Sequence, residues 1–320
     1  MRWLPLAVLV LAQIAYPIVS GEARTALVGA TVALGFAASV GHAFATRGAR
    51  VGVVLIAVTA GGGLAVEALG VSTGLPFGAY DYGDALGPTL LAVPVVIPLA
   101  WTWMAWPAWL AAGQLTSRTA ARIGIAGVGL AAWDLFLDPQ MVAEGYWRWT
   151  TPDPVTLPGV GDVPVGNYLG WLAVAVLMLA SFAAAAGPRA HRVDRTKDAP
   201  MLALYLWTYV SSVLAHAVFL DLPASALWAA SAWARSRCHS RSRWYDDEPS
   251  PLDPGARRRP FDRPHLGQQA PAPPPVAGSI HGGVSRLGPT PAARRGAPRA
   301  AMSGILAGAA WRGRHGDRGP

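Results

Sequence analysis

Three carboxylates stand in stretches otherwise fit for hydrocarbon. Glu67 closes the apolar run "VGVVLIAVTAGGGLAV", and Asp134 and Asp138 lie in "AAWDLFLDPQMVAEGYWRW". A carboxylate at membrane depth needs a partner, a proton or a wet cavity. Asp134 and Asp138 are four residues apart, so while a helix persists they lie on one face about one turn apart and can share a proton. Such a pair suits general-acid chemistry. Pro139 predicts that this helix ends around Asp138. Each acid also has a plainer reading, Glu67 as a side chain reaching the interface and the aspartates as a polar helix terminus.

Other side chains accompany them. "GLPFGAYDYG" after Glu67 offers backbone freedom at Gly74 and Gly78, a rigid Pro76 and the cluster Tyr80, Asp81, Tyr82, which would also serve as an interfacial aromatic belt. Trp101, Trp103, Trp106 and Trp109 crowd a stretch holding Pro94, Pro98 and Pro107. Aromatic faces stabilise cations and flat apolar walls suit a polyene, although packing alone uses tryptophan in the same way. His216 in "SSVLAHAVFLD" is either a proton carrier or a hydrogen-bonded helix residue. No HxxxH or ExxH spacing accompanies the acids, so no metal site is expected. Without a phosphate loop, a GxSxG elbow or a dinucleotide fingerprint, chemistry using ATP or a nicotinamide is disfavoured and no cofactor is expected.

The elements that must position these groups are membrane helices. Only 14% of the 320 residues are charged, and about 20 predominantly apolar residues cross a bilayer core. Seven windows meet that need, roughly 3–20, 25–45, 51–69, 88–112, 123–137, 167–187 and 200–220. The fold class is therefore all-α, a polytopic bundle of about seven helices. The first window is either a cleaved signal peptide or a retained helix, and the apolar windows after it favour retention. The lone cysteine, Cys238, provides neither a disulfide nor a thiolate cluster.

Charge gives an orientation. Arg47, Arg50, Arg118, Arg122, Arg189, Arg192, Arg195 and Lys197 occupy the even-numbered loops, while Asp81, Asp84, Glu144, Asp153 and Asp162 occupy the odd ones. The positive-inside rule then predicts a cytoplasmic N-terminus in the cell membrane. Glu67, Asp134, Asp138, Asn167 and His216 consequently fall near the outer helix ends. The net charge of +8 belongs to the end of the chain, where residues 235–320 hold 15 Arg against 6 acids. This splits the chain into a transmembrane domain, 1–228, and an Arg/Pro/Gly-rich tail, 229–320, whose composition predicts disorder and no nucleic-acid partner. An eighth apolar segment, "ASALWAASAWA", stops after half a span. With one Lys among 26 basic residues, that switch suggests a GC-rich gene read out of frame.

The stretch "EALGVSTGLPFGAYDYGDALGPTLLAVPVVIPLAW", then "WDLFLDPQMVAEGYWRW" and "VPVGNYLGW", resembles the polytopic carotenoid-biosynthesis proteins of the CruF type, which include bisanhydrobacterioruberin hydratase and carotenoid 1′,2′-hydratase. The likeness covers about residues 50–220. It implies hydration of the terminal double bond of an acyclic or monocyclic carotenoid held in the bilayer, with other pathway enzymes as candidate partners. At the matched positions, one of Asp134 and Asp138 is the candidate acid, and the other, or Glu67, orients water. Tyr80, Trp133, Trp147 and Trp149 are candidates to stabilise a cation, and Asp81, Asn167, Trp171 and His216 to contact substrate. A non-catalytic carotenoid- or lipid-binding subunit and a proton-coupled transporter remain the competing classes.

Overall fold

The computed structural model describes residues 3–232. Seven helices follow one another: α1 Leu4–Ala15, α2 Gly21–Arg47, α3 Ala49–Thr73, α4 Val96–Leu115, α5 Thr119–Ala143, α6 Val165–Ala186 and α7 Arg195–Val218. The chain is helical again from 223 to 232. Residues 233–320, most of the expected tail together with its suggested frameshift origin, lie outside the described residues. Among the described helices, α2, α3, α5, α6 and α7 are long and apolar enough to cross a membrane. The protein is an all-α membrane bundle.

α4 is built differently. Every residue from Ala100 to Leu110 is buried, so this helix has no lipid-facing side and forms the centre of the bundle. Its tryptophans fit because facing helices offer glycine: a Cβ on Gly35 would lie 2.4 Å from the Trp103 ring, and one on Gly63 2.9 Å from Trp101 Cδ1. Close backbone approach at small residues is how helices pack where no hydrophobic effect drives them.

Three prolines, Pro107, Pro139 and Pro200, lie inside helices rather than ending them. Pro107 cannot donate to the carbonyl of Trp103, and Ser39 Oγ donates to that carbonyl instead, at 2.8 Å. Pro139 likewise frees the carbonyl of Leu135, and the hydroxyl of Ser225, just inside the segment 223–232, donates to it. The expected end of the helix at Asp138 is therefore corrected: α5 continues to Ala143 because a distant side chain satisfies the group that proline orphans.

α3 contains one wide turn, Ile56–Gly61, of π-helical geometry. Apart from Gly52, its buried residues, Val51, Leu55, Thr59, Gly63, Glu67 and Gly70, are spaced by four at each step but the last. A strict four-residue repeat walks round an α-helix by about 40° per step, and the wide turn takes out much of that drift.

The two ends of the bundle differ. At one, Arg47 and Asp198 form a buried ion pair at 2.7 Å, and the Arg122 guanidinium lies 4.1 Å from the Trp109 ring centre while donating to the carbonyls of Trp109 and His191. At the other, the connections carry short antiparallel ribbons: β1 Tyr80–Tyr82 with β4 Trp147–Trp149, β2 Thr89–Leu90 with β3 Val93–Pro94, and β5 Thr156–Leu157 with β6 Val160–Pro164. Arg24 at the start of α2 pairs with Glu144 just past α5, and Thr25 and Tyr146 share a hydrogen bond of 2.9 Å at the same end.

Candidate functional site

Glu67 sits near the end of α3, only 4% exposed, and its carboxyl accepts three hydrogen bonds: Tyr80 Oη at 2.6 Å, Tyr82 Oη at 2.9 Å and Trp101 Nε1 at 3.0 Å. A carboxylate can only accept, so three donors meet the need of an ionised one. Register explains the tyrosines. β1 pairs with β4 as Tyr80↔Trp149, Asp81↔Arg148 and Tyr82↔Trp147, and strand alternation turns the four aromatics to one face and the charged pair to the other. Burial first, and the Glu67 carboxylate second, push both tyrosine hydroxyls well above the ordinary range, so they stay protonated donors. Small residues make the room: a Cβ on Gly70 would lie 2.7 Å from Tyr80 Oη.

The aspartates meet on α6. Asn167 Nδ2 donates to Asp134 Oδ2 at 2.9 Å and also to Asp138 Oδ2. Both aspartates are buried, and Asp134 Oδ1 has no partner among the described residues. Both lie within α5 one turn apart, just ahead of Pro139, and so share one face of the helix. Two carboxyls leaning on one amide NH2, with an oxygen left over, can hold a proton between them.

Glu67, Asp138 and Asn167 line one cavity of about 150 Å³. Its walls are aromatic. Trp101 and Trp171 stack with ring centres 3.9 Å apart and planes 12° from parallel, Tyr80 and Tyr82 meet edge to face at 5.4 Å, and Trp149 Nε1 donates to the Phe77 carbonyl at 2.9 Å. A cavity of this volume admits a group about the size of benzene, an end group rather than a whole polyene. It extends along α1, α2 and α7 past Gln13, Thr31 and Thr208. The arrangement can offer a proton from Asp138, a carboxyl held by three donors at Glu67 and several π faces to one small apolar group.

The structure sorts the residues expected from sequence. Tyr80, Trp133, Trp147, Trp149 and Trp171 line the cavity with Glu67, Asp138 and Asn167, while Asp134 lies behind Asp138, fully buried. Asp81 is not brought to it, being exposed on the outer face of β1. Nor is His216, whose ring nitrogens sit against the carbonyls of Phe136 at 3.0 Å and Ser212 at 2.8 Å, tying α7 to α5. Sequence reasoning missed Tyr82 and Trp101 as partners of Glu67. A strand reading of "YDY" would have paired Tyr82 with Tyr80; nothing in the sequence singled out Trp101 among its neighbours. No group of three or more His, Cys, Asp or Glu able to hold a metal ion occurs among the described residues.

Comparison with known proteins bears on the whole bundle. The family described as Carotenoid biosynthesis protein matches residues 25–233. Bisanhydrobacterioruberin hydratase of Haloarcula japonica is 35% identical over 137 residues, 40% of this chain and 44% of that protein. The match thus spans less than half the length of that relative. No solved structure matches.

Proposed function

We propose that this chain, which belongs to the carotenoid biosynthesis protein family by its match over residues 25–233, adds water to the terminal C=C of an acyclic or monocyclic carotenoid to give a tertiary alcohol. The observation that carries the reading is the sharing of one aromatic cavity by a carboxyl from an acid pair, Asp138, and a second carboxyl held by three donors, Glu67. The hydratase activity for which the relative from Haloarcula japonica is named supports it.

Asp138 delivers its proton to the less substituted alkene carbon, and the tertiary cation forms on the other. Asp134 and Asn167 brace Asp138 and spread the charge it is left with. The stacked Trp101 and Trp171, with Tyr80 and Trp149, present π faces to the cation, and the fixed carboxylate of Glu67 offsets its charge. Water forms the C–O bond, and its surplus proton passes to a cavity carboxylate, so that one proton enters and one leaves in each turnover. The substrate's polyene lies in the lipid with its end group inside the bundle. In the cell membrane, the charge of the loops sets this acidic end outward with the N-terminus in the cytoplasm.

The test is product analysis in membranes of a carotenoid-producing host, with and without the gene, in heavy-oxygen water. The expected product is heavier than its precursor by one water and carries the label in its hydroxyl. An unlabelled hydroxyl would mean an oxygenase, and bound but unchanged carotenoid a non-catalytic binding subunit.

A further inference from the structure

The cavity has a second polar wall that the protonation chemistry leaves unused. Thr31 on α2, Trp103 on α4 and Thr208 on α7 line it, and their Oγ1, Nε1 and Oγ1 atoms are buried without a hydrogen-bond partner among the described residues. For the threonines this is a choice of rotamer. A helical threonine ordinarily bonds its hydroxyl to the carbonyl four residues earlier, as Thr46, Thr59 and Thr73 do here at 2.7 Å each. Thr31 and Thr208 lie inside helices with such carbonyls behind them and forgo the bond. Leaving polar atoms unmet in a membrane bundle is costly, and three on three helices lining one cavity indicate an occupant that both donates and accepts. A water molecule does so, and two hydroxyls and an indole N–H give it the usual number of partners. Ser211 and Ser212 continue the polar wall along α7 toward the acidic end.

We infer that Thr31, Trp103 and Thr208 hold the water that captures the carbocation, making them positioning residues for the nucleophile. The inference rests on the hydratase reading. In the step concerned, the oxygen of that water forms the new C–O bond and one of its protons passes to Glu67 or Asp138. When no water is in place, the cation has one other exit: a neighbouring C–H returns a proton to the carboxylate and the alkene re-forms.

That competition supplies the test. The full chain is assayed in heavy water with a carotenoid substrate, and two quantities are measured together, hydrated product and deuterium gained by unhydrated carotenoid. Replacing both hydroxyls by methyl, Thr31→Val with Thr208→Val, should raise the ratio of exchange to hydration by about tenfold or more, the effect of losing about one hydrogen bond to the nucleophile. Thr31→Ser with Thr208→Ser should keep the wild-type ratio. A purely structural role would lower both quantities alike, and an unchanged ratio in the valine variant overturns the inference while leaving the hydratase reading intact. Absence of both exchange and hydration in the wild-type protein overturns the two together. Radiolytic footprinting adds a measurement independent of turnover: bound water beside a buried indole should oxidise Trp103, but not Trp106 or Trp109, which do not line the cavity. The valine pair should suppress that oxidation. A wild-type Trp103 as unreactive as Trp106 would refute the bound water directly.

Discussion

The hydroxyl of Ser225 donates to the carbonyl of Leu135, the acceptor that Pro139 leaves without a helical partner. The bond fixes the turn of α5 lying between Asp134 and Asp138. Ser225→Ala should destabilise the protein by about 1–3 kcal/mol, the cost of an unmet buried carbonyl. Pro139→Ala, which returns an N–H to the helix, should recover most of that loss in the double variant. Thermal unfolding in detergent of the four proteins reads the cycle, and strictly additive effects would mean that the two residues do not act on one carbonyl.

Asp138→Asn keeps a hydrogen-bonding group in the cavity and removes the transferable proton. Turnover should fall by about 10²–10⁴-fold with the protein still inserted. Asp134→Asn should impair activity through Asp138, and Glu67→Gln should fall in the same range if Glu67 receives the proton of water. Pigment chromatography measures each. Full turnover by the double variant Asp134→Asn, Asp138→Asn would remove the acid pair and leave Glu67 as the donor.

Gly63 determines where Trp101 can stand. A Cβ there would lie 2.9 Å from Trp101 Cδ1, so Gly63→Ala should push the indole away from Glu67 and lower turnover. Gly61→Ala is the control, since a Cβ at 61 meets nothing within 4 Å. Equal activity in the two variants would show that the indole N–H to Glu67 is dispensable.

Single cysteines in a Cys238→Ser background read the orientation. Asp81→Cys should react with an impermeant thiol reagent in intact cells, and Arg118→Cys and Arg192→Cys only after permeabilisation, as the basic loops require. Labelling at 192 from outside would invert the assignment.

The helices were legible because hydropathy over about 20 residues is a local property, and the acids because charge in such a window is costly. What escaped depended on distant partners. Pro139 reads as a terminator until Ser225, 90 residues beyond Leu135 in the chain, satisfies the freed carbonyl. Asp81 reads as one of three polar neighbours until pairing with β4 turns it away from Tyr80 and Tyr82. His216 reads equally as a proton carrier or a hydrogen-bonded helix residue until two backbone carbonyls are found to engage it. The tryptophans of α4 were plain in number, but only the glycines opposite them decide which indole reaches Glu67.

The wide turn at Ile56–Gly61 makes chain length in α3 locally negotiable. If one residue is removed there, for example Ala60, the buried stripe runs four, four, three, four, three, the rhythm of a regular α-helix, and Glu67 keeps its aim. If instead Ala65 is removed, between Gly63 and Glu67, the carboxyl swings round the helix by about 100°. Among related sequences, single-residue gaps in this helix should therefore gather within the wide turn and be absent from the stretch that follows it.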